Sequence, residues 1–236
     1  MRAARHHPHP CRYRGLSFDA NSLLPAAVDA YSERGISLCG CSKSVGLPGI
    51  RVGWLASHDE QRGCRFPRAA PQAAVLQLCQ LAIPSAPRPS ALACPVLRRV
   101  MELKDYTTIC NAAPSEVLAL VALRAWDALL ARQLGICRAN VETLRAFFER
   151  WRGVMRWEPP QAGTMTFPRL LLNERVDRFC ERLVADAGVL LLPASVYGHE
   201  PSTRQGRFRL GFGRRSMPRS LEQLEAYLQR TYPNLP

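Results

Sequence analysis

The sequence predicts a layered α/β or α+β fold, and three observations carry that expectation. Segments of helical period alternate with short apolar or alternating segments of strand type along the second half of the chain. Apolar residues make up 47% of the 236 positions and charged residues 22%, the balance of a chain that buries a core. No run approaches the roughly 18 uninterrupted apolar residues that a membrane helix requires, so no such helix is expected.

Taken in order, residues 1–12 read as a disordered basic lead-in. A helical patch over Ala26–Arg34 is ended by Gly35, because glycine gives up most backbone freedom in a helix. Ile36–Cys39 is a compact apolar strand that runs into the loop Gly40–Gly49, and the apolar stretch Val52–Ala56 follows. Residues 57–95 read as a Pro/Ala-rich insertion or loop. Positions 61–95 hold six prolines and eight alanines with no sustained period, and proline removes backbone donors and blocks helices. Residues 96–150 form a helical connection. One helix starts at Pro114-Ser115-Glu116 and runs to about Gln133, and a second begins near Arg138 with Val141, Leu144, Phe148 and Trp151 on one face.

Residues 151–236 read as a small α/β domain. Strands over Gly163–Leu172 and Gly188–Leu192 flank a helix whose Val176, Phe179, Leu183 and Val184 share a face. Phe208–Phe212 alternates as a strand. The last helix opens at Ser220 with Gln223 three residues on, the spacing of a capping box, and buries Leu221, Leu224 and Leu228. No internal repeat is visible.

A formal charge of +13 invites a nucleic-acid reading, but its make-up argues against one. Of the 32 cations only Lys43 and Lys104 are lysines, and the other 30 are arginines spread along the chain rather than clustered. Nine cysteines with no C-x-x-C pair and no signal peptide point to free thiols in a reducing compartment, hence the cytoplasm. The first 17 residues lack acids and faintly resemble an organellar transit peptide. His6, His7 and His9 are metal ligands by type, but no acid stands beside them, and no metal site is expected.

The chemistry concentrates in Ser37-Leu-Cys-Gly-Cys-Ser-Lys43-Ser-Val-Gly-Leu-Pro-Gly-Ile-Arg51-Val-Gly53. One of the two lysines lies just past a buried strand among small residues, with an arginine eight positions later. A partly desolvated lysine loses preference for its charged form and becomes a usable amine nucleophile. The arginine offers forked donors matched to phosphate oxygens. An amine beside a phosphate grip is what a pyridoxal-phosphate site requires.

This stretch resembles the lysine signature of class I/II pyridoxal-phosphate-dependent aminotransferases of fold type I. Gly40, Cys41, Ser42, Lys43, Gly46, Leu47, Gly49, Arg51, Val52 and Gly53 all conform to it. The resemblance implies that Lys43 carries pyridoxal 5′-phosphate as the internal aldimine and then shuttles the substrate α-proton. Arg51 would hold the phosphate, with Ser42 as a second donor. Tyr13-Arg-Gly-Leu-Ser resembles the segment whose tyrosine bonds the cofactor's phenolic oxygen. Gly188–Pro193 and Gly206–Gly213 resemble two strands of the family's small domain, where Arg209 would pair with the substrate α-carboxylate. Arg207 on the same strand face and Arg214 just past it are the neighbours that a register change would promote. The implied substrates are an amino acid and a 2-oxo acid, and the implied assembly is a homodimer.

The implied fold is therefore a partial fold type I transferase: the C-terminal part of the large domain over 13–56, the insertion, the helical connection and the small domain. The family's N-terminal part has no counterpart, which reads as N-terminal truncation. The family also places an aspartate three residues before the tyrosine to keep the pyridine nitrogen protonated, and here that position is Pro10. The block 61–95 reads as retained non-coding sequence or a mis-joined gene model. Two rivals accompany the aminotransferase reading: a catalytically inactive piece of such an enzyme, and a lyase or synthase with the same lysine signature.

Overall fold

The computed structural model describes residues 7–10, 15–19, 35–57, 74–76, 95–198 and 206–234. The helix expected over Ala26–Arg34 and the residue Tyr13 lie outside the described residues. The chain divides into two compact units, one of Met1–Gly15 with Ala20–Ala131 and one of Leu16–Asp19 with Arg132–Pro236.

In the first unit, β1 (His7–Pro10), β2 (Gly35–Gly40), β3 (Gly53–Ser57) and β4 (Ala74–Leu76) form a sheet in that order. β1 runs parallel to β2, and the other two pairings are antiparallel. Where composition suggests an unstructured lead-in, β1 is an edge strand. Pro8 and Pro10 alternate along it, so the two missing donors fall on one side of the strand, an arrangement that an edge tolerates. β4 likewise lies inside the segment expected to be an insertion or loop.

Helices α1 (Pro95–Asp105) and α2 (Ala113–Arg124) follow, and α3 (Trp126–Arg150) begins in this unit. The expected pair of helices is therefore divided elsewhere, since α2 stops at Arg124 and α3 passes unbroken through Gly135. A single glycine flanked by good helix formers costs a helix only about 1 kcal/mol, and a residue further along cannot offset a break already made at Ala125. A small core joins Cys41, Val45 and Val52 to Ala119, with Trp54 set edge-on to Trp126 at 6.2 Å.

The second unit packs α3, α4 (Val176–Ala187) and α5 (Met217–Thr231) with short strands. β5 (Met155–Arg156) pairs with β7 (Arg169–Leu170), while β6 (Met165–Thr166), β9 (Phe208–Gly211) and β8 (Leu192–Pro193) form an antiparallel sheet in the order β6-β9-β8. The strand expected over Gly163–Leu172 is thus two, parted at Phe167-Pro168, where proline offers no donor. Only the end of Gly188–Leu192 enters a ladder.

The predicted apolar faces are buried: Val141, Leu144 and Phe148 from α3 with Trp151 just past its end, Phe179 and Leu183 from α4, and Leu221, Leu224 and Leu228 from α5. Val184 departs from this pattern at 43% exposed, because its place on the turn points past the core edge. α5 opens at Met217 rather than Ser220. Pro218 sits in its first turn, and the Ser216 cap makes no side-chain hydrogen bond. Among the described residues, no helix is long and apolar enough to cross a membrane.

Phe147 has no exposed surface and sits in the core of the second unit. Phe147→Ala is expected to lower stability by about 3–5 kcal/mol in urea denaturation. Leu103→Ala, at a position 68% exposed, is expected to change it by less than about 0.5 kcal/mol.

Candidate functional site

Ser42, Lys43 and Arg51 share the loop that joins β2 to β3. The strands beneath it are in fixed register, with Cys39 opposite Trp54 and Gly40 opposite Gly53. The two glycines permit an approach that no other residue would. A Cβ on Gly53 would stand 2.8 Å from the Cys39 carbonyl oxygen, and one on Gly40 would stand 3.1 Å from that of Val52. The Cys41 N–H donates to the Val52 carbonyl at 3.2 Å, and the Leu47 N–H donates back to the Cys41 carbonyl at 2.9 Å. Cys41, Ser44 and Val45 are buried, so the loop is anchored on both sides of Lys43.

Lys43 itself is half-buried, as is Ser42. Among the described residues, no hydrogen bond or ion pair engages the Lys43 amine. Arg51 is exposed and follows the 3₁₀ turn Pro48–Ile50. Its φ of 56° lies in the left-handed region, a conformation that costs a residue with a Cβ about 1–3 kcal/mol and gathers at ligand sites. Its Nη1 donates to the Pro48 carbonyl at 3.1 Å.

Arg209 belongs to the second unit, on β9, opposite Leu192 of β8. Its guanidinium carbon lies 5.7 Å from the centre of the Tyr197 ring. The two neighbours that a register change would promote are otherwise placed. Arg207 Nη1 donates to the Phe167 carbonyl at 2.8 Å, and Arg214 lies beyond the strand, exposed. Tyr13 lies outside the described residues.

Residues that the sequence reading missed hold β9 in place. Asn140 Nδ2, buried on α3, donates to the carbonyls of Phe212 at 2.7 Å and Arg214 at 2.8 Å. Gln133 Nε2 donates to that of Gly213 at 2.8 Å. The signal was present: Gln133, Cys137, Asn140 and Leu144 follow spacings of four, three and four, so two amides stand in a buried stripe. Ser195 Oγ donates to Asp177 Oδ1 at the start of α4. On the far side of the unit, Tyr232 donates to Glu174 Oε1 at 2.6 Å and accepts from Arg182 at 2.7 Å. Burial and then that bond to a carboxylate push the tyrosine's pKa upward.

The model for aminotransferases of class I and II matches residues 13–221. Capreomycidine synthase from Streptomyces vinaceus is 29% identical over 180 residues, which make up 76% of this chain and 36% of that protein. The structure of a PLP-dependent aminotransferase from Streptococcus suis superposes with a TM-score of 0.69 at 24% identity, covering 94% of this chain and 48% of its own. That of the PLP-dependent cyclase OrfR gives 0.68 at 23% identity, covering 94% and 50%. The chain thus spans about half the length of these solved structures and 36% of the curated relative. The fold is α/β, a partial fold type I PLP-dependent transferase.

Two outcomes follow from this geometry. Gly53→Ala forces β2 and β3 apart and is expected to cost about 1–3 kcal/mol in urea denaturation. Burial first, with the carboxylates of Asp177 and Glu181 adding to it, pushes the Cys180 thiol up to about 12, so it stays protonated until the medium is more alkaline still. In the folded chain at about pH 9, iodoacetamide is expected to alkylate the exposed Cys110 and spare Cys180.

Proposed function

We propose that this chain, which belongs to the aminotransferase class I and II family, moves an α-amino group between an amino acid and a 2-oxo acid with pyridoxal 5′-phosphate as cofactor. The observation that carries the reading is the anchored β2–β3 loop, which bears an amine, a guanidinium and a hydroxyl on one turn of chain. This donor set fits two ends of the cofactor, Lys43 the aldehyde and Arg51 with Ser42 the phosphate. At the ring nitrogen the family's carboxylate is replaced by Pro10, on β1 opposite Leu38. That nitrogen therefore has no acid from position 10.

When bound, pyridoxal phosphate supplies an electron-withdrawing ring for charge that develops at the substrate α-carbon. The chain's own residues supply the rest. Lys43 Nζ would hold the cofactor at its aldehyde and, when free, would take the substrate α-proton. Arg51 and Ser42 donate to phosphate oxygens. Arg209, with its donors uncommitted among the described residues, takes the substrate α-carboxylate in a forked contact. The homodimer expected of the family belongs to the same proposal.

A second reading has its own support. The curated relative is a synthase and one structural neighbour is a cyclase, so the same lysine could serve α-proton removal without amino transfer. Supplying a ¹⁵N-labelled amino acid together with a 2-oxo acid separates the two. Label appearing on the acceptor marks transamination, and exchange of the α-hydrogen without label transfer marks the second reading.

Borohydride reduction in the presence of pyridoxal phosphate, followed by peptide mapping, tests the site itself. Lys43 and Lys104 are the chain's two lysines, and Lys104 is engaged with Thr108 Oγ1 at 2.7 Å. Label is expected on Lys43 at low cofactor concentration, and Lys43→Ala is expected to lower turnover by about 10²–10⁴-fold. Equal labelling of both lysines would sink the assignment.

A further inference from the structure

We propose that Tyr197 is a positioning residue for Arg209, holding the guanidinium by its face so that its in-plane donors stay open to a substrate carboxylate. The inference rests on the reading of Arg209 as the carboxylate anchor and adds a residue that reading does not contain.

An arginine on a strand has several rotatable bonds, and an unfastened one samples many orientations at an entropic cost to any ligand that must fix it. A salt bridge would fix it but would occupy the donors. An aromatic face fixes it and leaves them free, because the attraction acts on the flat of the cation. Arg209 is held in the second way. Its guanidinium carbon stands 5.7 Å from the Tyr197 ring centre, and no hydrogen bond or ion pair engages its side chain among the described residues. Arg207, two positions earlier, spends a donor on the Phe167 carbonyl.

The ring is itself fixed, which separates a built contact from a chance one. Tyr197 ends the 3₁₀ turn Ala194–Tyr197, directly after β8, and the pairing of Leu192 with Arg209 and Pro193 with Phe208 brings that turn alongside the arginine. The Ala194 N–H donates to the Arg207 carbonyl at 2.9 Å, and the Gly198 N–H donates to that of Ser195 at 3.1 Å. Gly198 closes the turn at φ 76°, a conformation suited to glycine. The Ser195 hydroxyl donates to Asp177 on α4, whose other carboxylate oxygen is buried without a hydrogen-bond partner among the described residues. Phe167 meets the Tyr197 ring edge-on at 6.0 Å. Tyr197 is nonetheless 44% exposed, so it is not there to fill the core.

The test uses the full chain with pyridoxal phosphate present and reads how well 2-oxopentanoate protects Arg209 from phenylglyoxal, with modification at Arg209 followed by peptide mass spectrometry. Pentan-2-one, which lacks the carboxylate, is the control ligand. In the unsubstituted chain the oxo acid is expected to protect and the ketone is not. Tyr197→Leu is expected to raise the half-protecting concentration about fivefold, the scale of a partly exposed cation–aromatic contact, and Tyr197→Phe, which keeps the ring, is expected to leave it unchanged. Unaltered melting temperatures in both variants exclude a folding defect, and Tyr197→Phe serves as the folded reference if the leucine variant is lost. Protection at the same concentration in Tyr197→Leu, or a Tyr197→Phe variant as weak as Tyr197→Leu, overturns the positioning role and leaves Arg209 as the anchor. No selective protection in the unsubstituted chain overturns the anchor reading and the positioning role together.

Discussion

The close passage of two backbones at Gly40 and Gly53 is the constraint on which the lysine loop depends. A ladder between β2 and β3 can form with ordinary residues, but here the chains meet where a side-chain carbon at position 53 would fall 2.8 Å from a carbonyl oxygen. Closing the hairpin this tightly lets Cys41 and Val52 join across its mouth, and Lys43 stands half-buried in a loop anchored by the buried Cys41, Ser44 and Val45. The loop that carries the lysine is thereby closed at its base by a tight strand pair, which narrows the range of positions open to it.

The second unit solves a similar problem by different means. Arg209 lies on a strand of four residues, too short to be rigid alone. The chain leaving its C-terminal end is secured from α3, where Asn140 and Gln133 reach the carbonyls just past the strand. These buried amides find their own partners in those carbonyls, and they occupy a stripe that could have been wholly apolar. The helix therefore serves both as a wall of the core, through Leu144, Phe147 and Phe148, and as the post to which the arginine's strand is tied.

The strained backbone at Arg51 fits the same pattern. A residue with a Cβ held at positive φ persists only where its surroundings require it, and the 3₁₀ turn before it and the pairing at Gly53 after it leave the chain little other course. Proline at position 10 runs the other way. It suits an edge strand and leaves no ionisable group at that position, while the loop keeps its amine, guanidinium and hydroxyl.

Much of this was legible in the sequence. Helical spacing marked the buried faces of α3, α4 and α5, because a period of 3.6 with apolar residues has few other uses, and the spacing from Lys43 to Arg51 marked the loop. What it left out has a common cause. The break at Ala125, the unbroken passage through Gly135 and the strand at His7–Pro10 turn on local energies of about 1 kcal/mol, which packing and pairing override. Among Arg207, Arg209 and Arg214 the resemblance favours Arg209, but the residues alone do not separate them, for three arginines in eight residues are alike until a neighbouring carbonyl engages one and an aromatic ring stands beside another. The sequence by itself determined the fold class and the family, and it singled out the lysine as a candidate. Only the tertiary structure decided which arginine keeps its donors free among the described residues, because that depends on residues 12 to 40 positions away in the chain, brought together by strand pairing.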